Sequence, residues 1–169
     1  ATVEFYNKAY ECADCGYFRK SWQYFGIPVS ESGFPYLTPK METINEWMEN
    51  VNGNKWVNVA ENTKLHAFRG YEMTNSSATK PNNIYEFTGK LNVGDATISL
   101  SKTGGVNYSG MNLIANSYSA AIPISEDAIQ YNASGWDKQV YLFNAGTRDQ
   151  WRKLNGGSIA GVAAGQYTA

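Results

Sequence analysis

Trp22-Gln-Tyr-Phe-Gly26-Ile-Pro28-Val29 aligns without a gap on Met111-Asn-Leu-Ile-Ala115-Asn-Ser117-Tyr118. In both stretches a large apolar residue is followed by alternating character, a small residue, a Pro or Ser, and an apolar stop. The interval from Trp56 to Gly70 recurs from Trp151 to Gly165. A chain that carries the same segments twice, in the same order, must house two copies of one supersecondary unit. We therefore expect a single β domain over 1–169 with two related halves, about 17–100 and 106–169, the second lengthened in the loop around Ser125 to Gln139. Two separate small domains are the alternative. Against them, each half alone would bury only a modest core, and no linker divides the halves.

Twelve Tyr, seven Phe, five Trp and sixteen Gly, without any Ala- or Leu-rich segment, favour pleated half-buried surfaces and tight turns. The expected class is all-β, an antiparallel β-sandwich, with a jelly-roll-like order as one variant. Short buried strands are expected at Tyr24–Val29 and Asn112–Ile114, and a period-two strand at Trp56–Val59. Tyr85–Leu91 and Ala96–Leu100, joined by Asn92-Val-Gly94-Asp95, form the strongest expected hairpin; Val140–Phe143 and a run to Trp151 form a second. Met41, Ile44, Trp47 and Met48 have helical spacing. The repeat sets Trp47 opposite Leu142 inside a strand, which favours strand there too, with a single helical turn as the alternative.

Fourteen Lys and Arg against fifteen Asp and Glu give a net charge of −1, and the one basic group of note, Arg148, Arg152 and Lys153, is short. That excludes the electrostatic footprint of a nucleic-acid binder. Aromatics at 14% exclude intrinsic disorder, and no apolar run is long enough for a membrane span. The chain does not begin with Met, and its end at Gln166-Tyr167-Thr168-Ala169 resembles a strand cut short. It is expected to be a piece of something longer, with an edge open to pairing.

Reactive chemistry is sparse. The chain has no GxSxG elbow, HExxH pair, EF-hand loop or Walker sequence. His66 sits in a strand pattern without a nucleophile in recognisable context. Glu42, Glu46 and Glu49, or Glu126 with Asp127, offer carboxylates, yet solvated charge accounts for them better than a glycosidase pair. Glu126, Asp127 and Asp137 match no calcium-loop spacing. Asn75, Asn107 and Asn132 open Asn-x-Ser/Thr triplets, which carry meaning only in a eukaryotic secretory host. Cys12 and Cys15 form a CxxC pair that suits a redox dithiol, half a metal site or a small-loop disulfide. Absent partner ligands and a helix start favour the disulfide or an unpaired structural pair. No enzyme activity, cofactor or metal is expected.

Aromatic residues carry the one binding hypothesis. Sugar rings stack on exposed Trp and Tyr faces flanked by amides and carboxylates. Trp136, in the insertion of the second half, is least explained by the core pattern, and Tyr131 and Asp137 would complete a glycan platform. Trp22, Trp56 and Trp151 recur at core-strand positions and are assigned to packing. Asn112 and Asn116 are expected to bond backbone groups where a strand ladder stops, while Gly70 and Gly165 fit strand bends or positive φ.

Gly110-Met-Asn-Leu-Ile-Ala-Asn-Ser-Tyr118, followed by Ala120-Ala-Ile122, resembles the G-W-N-L-x-G-N-P-Y segment of secreted and cell-surface multidomain proteins of Bacteroidetes. In those proteins the segment tends to lie upstream of a C-terminal sorting region. Met111, Ala115 and Ser117 depart from the pattern. The resemblance implies a non-catalytic extracellular structural or adhesion module, secreted or at the cell surface. Its partners would be neighbouring domains of a larger chain and a glycan or a host or cell-surface protein. A carbohydrate-binding module that targets an attached enzyme or adhesin is the alternative.

Overall fold

The computed structural model describes residues 1–6, 11–12, 18–20, 22–32, 42–77, 84–123, 125, 128–130, 135, 140–144, 158–162 and 167–168. Among them every regular element is a strand: β1 (Thr2–Tyr6), β2 (Glu11–Cys12), β3 (Phe18–Lys20), β4 (Gln23–Phe25), β5 (Glu31–Ser32), β6 (Glu42–Trp47), β7 (Trp56–Asn58), β8 (Leu65–His66), β9 (Tyr71–Ser77), β10 (Ile84–Thr88), β11 (Ile122–Pro123), β12 (Val140–Asn144), β13 (Ser158–Val162) and β14 (Tyr167–Thr168). All their pairings are antiparallel. The all-β expectation holds.

The longest described strand, β9, organises the main sheet. It pairs β6 along one edge and β3 and β4 along the other, and β6 in turn pairs β7. The β1–β10 ribbon lies across this sheet as a second layer. Alternation does the work: Tyr85 and Phe87 of β10 are buried while Ile84, Glu86 and Thr88 face out. Register puts Val3 beside Phe87 and Phe5 beside Tyr85, so one face of the ribbon is apolar throughout. That face meets Phe25, Ile44, Tyr71 and Met73 of the main sheet in one buried cluster. Phe25 sits at its centre, with ring centroids 5.6 Å from Tyr71, 6.1 Å from Phe87 and 6.4 Å from Phe5. Two sheets sealed by such a layer form the sandwich.

Three local expectations meet different outcomes. The helical spacing of Met41, Ile44, Trp47 and Met48 gives way to strand β6, because ladders on both sides satisfy its backbone and Ile44 enters the core at period two. The hairpin expected between Tyr85–Leu91 and Ala96–Leu100 is replaced by β1–β10, and residues 95–100 carry no regular structure. Val3 and Phe5 pack against the core, whereas Ile98 stays exposed; the partner with more apolar surface to bury wins the pairing. Strand β12 pairs β13 rather than a run ending at Trp151, and Trp151 lies outside the described residues.

The strand expected at Asn112–Ile114 is reduced to a single bridge between Ile114 and Arg69. Its segment still touches its repeat counterpart. A Cβ added to Gly26 would fall 2.0 Å from the Cβ of Ala115, the position aligned with it, and one added to Gly70 would fall 2.2 Å from Leu113 Cγ. Gly70 is thus required by close approach, not by positive φ, and Gly165 lies outside the described residues. Gly26→Ala and Gly70→Ala should each cost about 1–3 kcal/mol in urea unfolding, with unchanged m. A neutral result at both would contradict this packing.

Candidate functional site

The main sheet has a second face, and register assigns its residues. Phe25, Tyr71, Met73 and Ile44 align across β4, β9 and β6 on the core side. One residue out of step, Tyr24, Glu72, Asn45 and Asn58 align on the other side, and Trp47 lies opposite Trp56. The outcome is a row of rings. Tyr24 and Trp56 are 5.2 Å apart at 53°, Trp56 and Trp47 5.2 Å apart at 76°, and Trp47 and Tyr108 5.9 Å apart at 64°. The first three are half-buried, whereas Tyr108 is 62% exposed.

Glu72 sits within this face at 7% exposure. Its Oε1 accepts one hydrogen bond, from Asn45 Nδ2 at 2.8 Å, and no second donor meets the carboxylate among the described residues. Burial outweighs that bond and pushes its pKa up. The Tyr24 hydroxyl is pushed up as well, by burial first and then by the Glu72 charge.

The far end of the row is built by a different carboxylate. Glu49, 4% exposed in the turn after β6, accepts bonds on Oε1 from the amides of Thr103 and Gly110, both at 2.8 Å. Its Oε2 accepts from the hydroxyls of Ser101 and Thr103, both at 2.9 Å. The amides of Thr103 and Gly110 are the main cause of a pKa lowered to about 2; desolvation opposes them and loses. The Lys55 ammonium, also buried, donates to the Glu49 carbonyl. Residues 101–110 have no ladder, so this socket holds them, and Trp47 Nε1 donating to Met111 O at 2.7 Å locks the next residue to the aromatic row.

Side chains replace the ladder beyond Met111 too. Asn112 Nδ2 donates to the carbonyls of Ser101 and Gly110, and its Oδ1 accepts from the Ser101 amide. Asn116 Nδ2 donates to Ala120 O while its Oδ1 accepts from the Tyr118 amide. Both asparagines thus bond backbone groups, as expected. Buried Ser117 Oγ accepts from the amide of Phe68, whose φ is +62°, and the Tyr118 ring packs on Phe68 at 5.2 Å.

The expected glycan residues Tyr131, Trp136 and Asp137 lie outside the described residues, as does Cys15; of Cys12 only the backbone, in β2, is described. His66 is an exposed strand residue. Glu46 pairs with Arg69, and both oxygens of buried Glu49 accept hydrogen bonds, so Glu49 is an acid held within the fold and not the solvated charge expected. Among the described residues no group of His, Cys, Asp and Glu suits a metal ion, and no helix is long and apolar enough to cross a membrane. Sequence reasoning assigned Trp56 to packing, gave Tyr24 and Trp47 only positions in expected strands, and named neither Tyr108 nor Glu72. The signal was period-two alternation, but only cross-strand register shows that these positions share a face.

The class defined so far is an all-β sandwich with one sealed face and one aromatic, acid-bearing face. The chain is 54% identical over 169 residues to the minor fimbrium subunit Mfa5 of Porphyromonas gingivalis, a Bacteroidetes protein. The match covers 98% of this chain and spans 14% of the relative's length. No family model matches the chain, and no solved structure does.

Glu49→Gln removes an acceptor oxygen and turns a donor toward other donors. Amide exchange at Thr103 and Gly110 should speed up by about tenfold or more, with Ile44 and Met73 protected as before. Equal protection at all four sites would show that the socket does not hold the segment.

Proposed function

We propose that this chain is a non-catalytic, extracellular structural or adhesive module of a fimbrium-type protein at the bacterial cell surface. The observation that carries this is the 54% identity across 98% of the chain to a minor fimbrium subunit. The fold supports it. An antiparallel sandwich whose irregular segment is fastened by buried side-chain bonds suits a module that must hold its shape outside the cell. Two of the carboxylates weighed for a glycosidase pair, Glu46 and Glu49, are engaged in the fold, one by Arg69 and the other by the amides of Thr103 and Gly110.

The module acts within a longer polypeptide, with the neighbouring domains as its first partners, and its two related halves form one unit. Cys12 and Cys15 close a small disulfide loop, which an oxidising extracellular setting would preserve.

Deleting this segment from its parent gene, with an epitope tag elsewhere in the parent, tests the reading. The intact protein should be cleaved by protease added to whole cells and be found in sheared surface fibres. The deleted form should be depleted from those fibres. An intact parent protein that is protease-protected in whole cells and absent from sheared material would overturn the proposal.

A further inference from the structure

We propose that Asn52 is a covalent modification site: in the folded chain its side-chain amide is attacked by the Gly53 backbone nitrogen and ends as aspartate or isoaspartate, with water as the co-reactant. This goes beyond the structural role and does not rest on it. Ring closure of this kind needs a backbone nitrogen beside the amide, a following residue with no Cβ in the way, and an amide nitrogen free to leave. The sequence holds two Asn-Gly pairs, Asn52-Gly53 and Asn155-Gly156, and the second lies outside the described residues.

The connection between β6 and β7 meets all three needs. The Gly53 nitrogen lies 3.0 Å from Asn52 Oδ1, so the reacting groups are already held against each other, as a near-attack arrangement requires. Gly53 has a φ of +84°, and a Cβ built on it would meet nothing within 4 Å, so the backbone has room and freedom to turn as the ring closes. Both residues are exposed to the water that completes the reaction. Asn52 Nδ2 has no hydrogen-bond partner among the described residues. Other asparagines differ on this point, since Asn45, Asn92, Asn112 and Asn116 each donate through Nδ2 to a group in the fold. Asn54, next along the turn, has its Oδ1 on the Trp56 amide at 3.2 Å and is followed by buried Lys55.

The chemistry needs no oxidant or reductant. Solvent base takes the Gly53 amide proton as the nitrogen bonds to Asn52 Cγ; the Cγ–Nδ2 bond then breaks, and Nδ2 leaves as ammonia with a proton from water. The product is a five-membered succinimide. One water then adds across either of its two carbonyl–nitrogen bonds. Opening at Cγ leaves aspartate with the backbone as before, and opening at the Asn52 carbonyl carbon leaves isoaspartate, with one extra methylene in the main chain. Either product adds one negative charge to the turn. The change is confined between anchored residues: Met48 N donates to Lys55 O at 2.9 Å, and the Lys55 ammonium donates to the Glu49 carbonyl. The sheet therefore keeps its ladders.

The intact 169-residue chain and a free peptide of residues 49–57 are incubated at neutral pH and body temperature, and Asn52 is followed by peptide mapping and mass spectrometry. The Asn52 fragment should gain about 1 Da and split into two isomers. This should proceed at least as fast in the folded chain as in the free peptide, at an unchanged melting temperature. In Asn52→Gln, closure would need a larger ring, and the gain in this fragment should slow about tenfold or more. A folded chain that converts about tenfold more slowly than the free peptide would show that the turn protects Asn52, which overturns the proposal. A gain that persists undiminished in Asn52→Gln would place the reaction at Asn54 and overturn it equally.

Discussion

The carboxylate of Glu49 is the constraint on which the outer part of this molecule depends. Two amides and two hydroxyls converge on its two oxygens from residues that have no strand partner. A buried acid is unfavourable unless its lone pairs are filled, and an amide that lacks a ladder is unfavourable unless something accepts from it. Each need meets the other. The donors prevail over desolvation, as a pKa of about 2 records. Because Glu49 follows β6 directly, the socket ties the irregular segment to the sheet beside Trp47, and Trp47 grips Met111 from the same place.

The main sheet then has two unlike faces drawn from the same few residues. Met73 and Ile44 are fully buried against the ribbon layer, while Glu72 and Asn45, one step along, meet on the opposite side beneath aromatic rings. Period-two alternation separates these roles with no extra structure. Glu49 and Glu72 show how strongly local donors matter. Both are buried, but four donors pull one pKa down and a single amide leaves the other raised.

Much of the architecture is legible in the sequence. The scarcity of helix formers, the alternation of Tyr85 and Phe87, and the strand character of Trp56–Asn58 all lead to a β-sandwich. The pairing of β10 was not legible, because Tyr85–Leu91 is followed by a good turn and another apolar run, and only the competition for core area selects the distant Val3 and Phe5 instead. Asn112 and Asn116 could be assigned to backbone bonding from residue type alone, since a short amide side chain at a strand end has few other uses. The aromatic face could not. Tyr24, Glu72, Trp47 and Trp56 come from four strands, and Tyr108 arrives through a socket whose acid looked like ordinary surface charge. Gly70 was recognisable as constrained, but the reason, contact with Leu113, belongs to the tertiary fold.

The most direct test of this account follows the carboxyl carbon of Glu49 by NMR through an acid titration, together with the amide protons of Thr103 and Gly110. A folded pKa below the ordinary carboxyl value means stability held above that value and lost as pH falls through the folded one. The account predicts that all three signals titrate together with a pKa of about 2. A Glu49 carboxyl that titrates in the ordinary range, with the Thr103 and Gly110 amides unmoved, would contradict it.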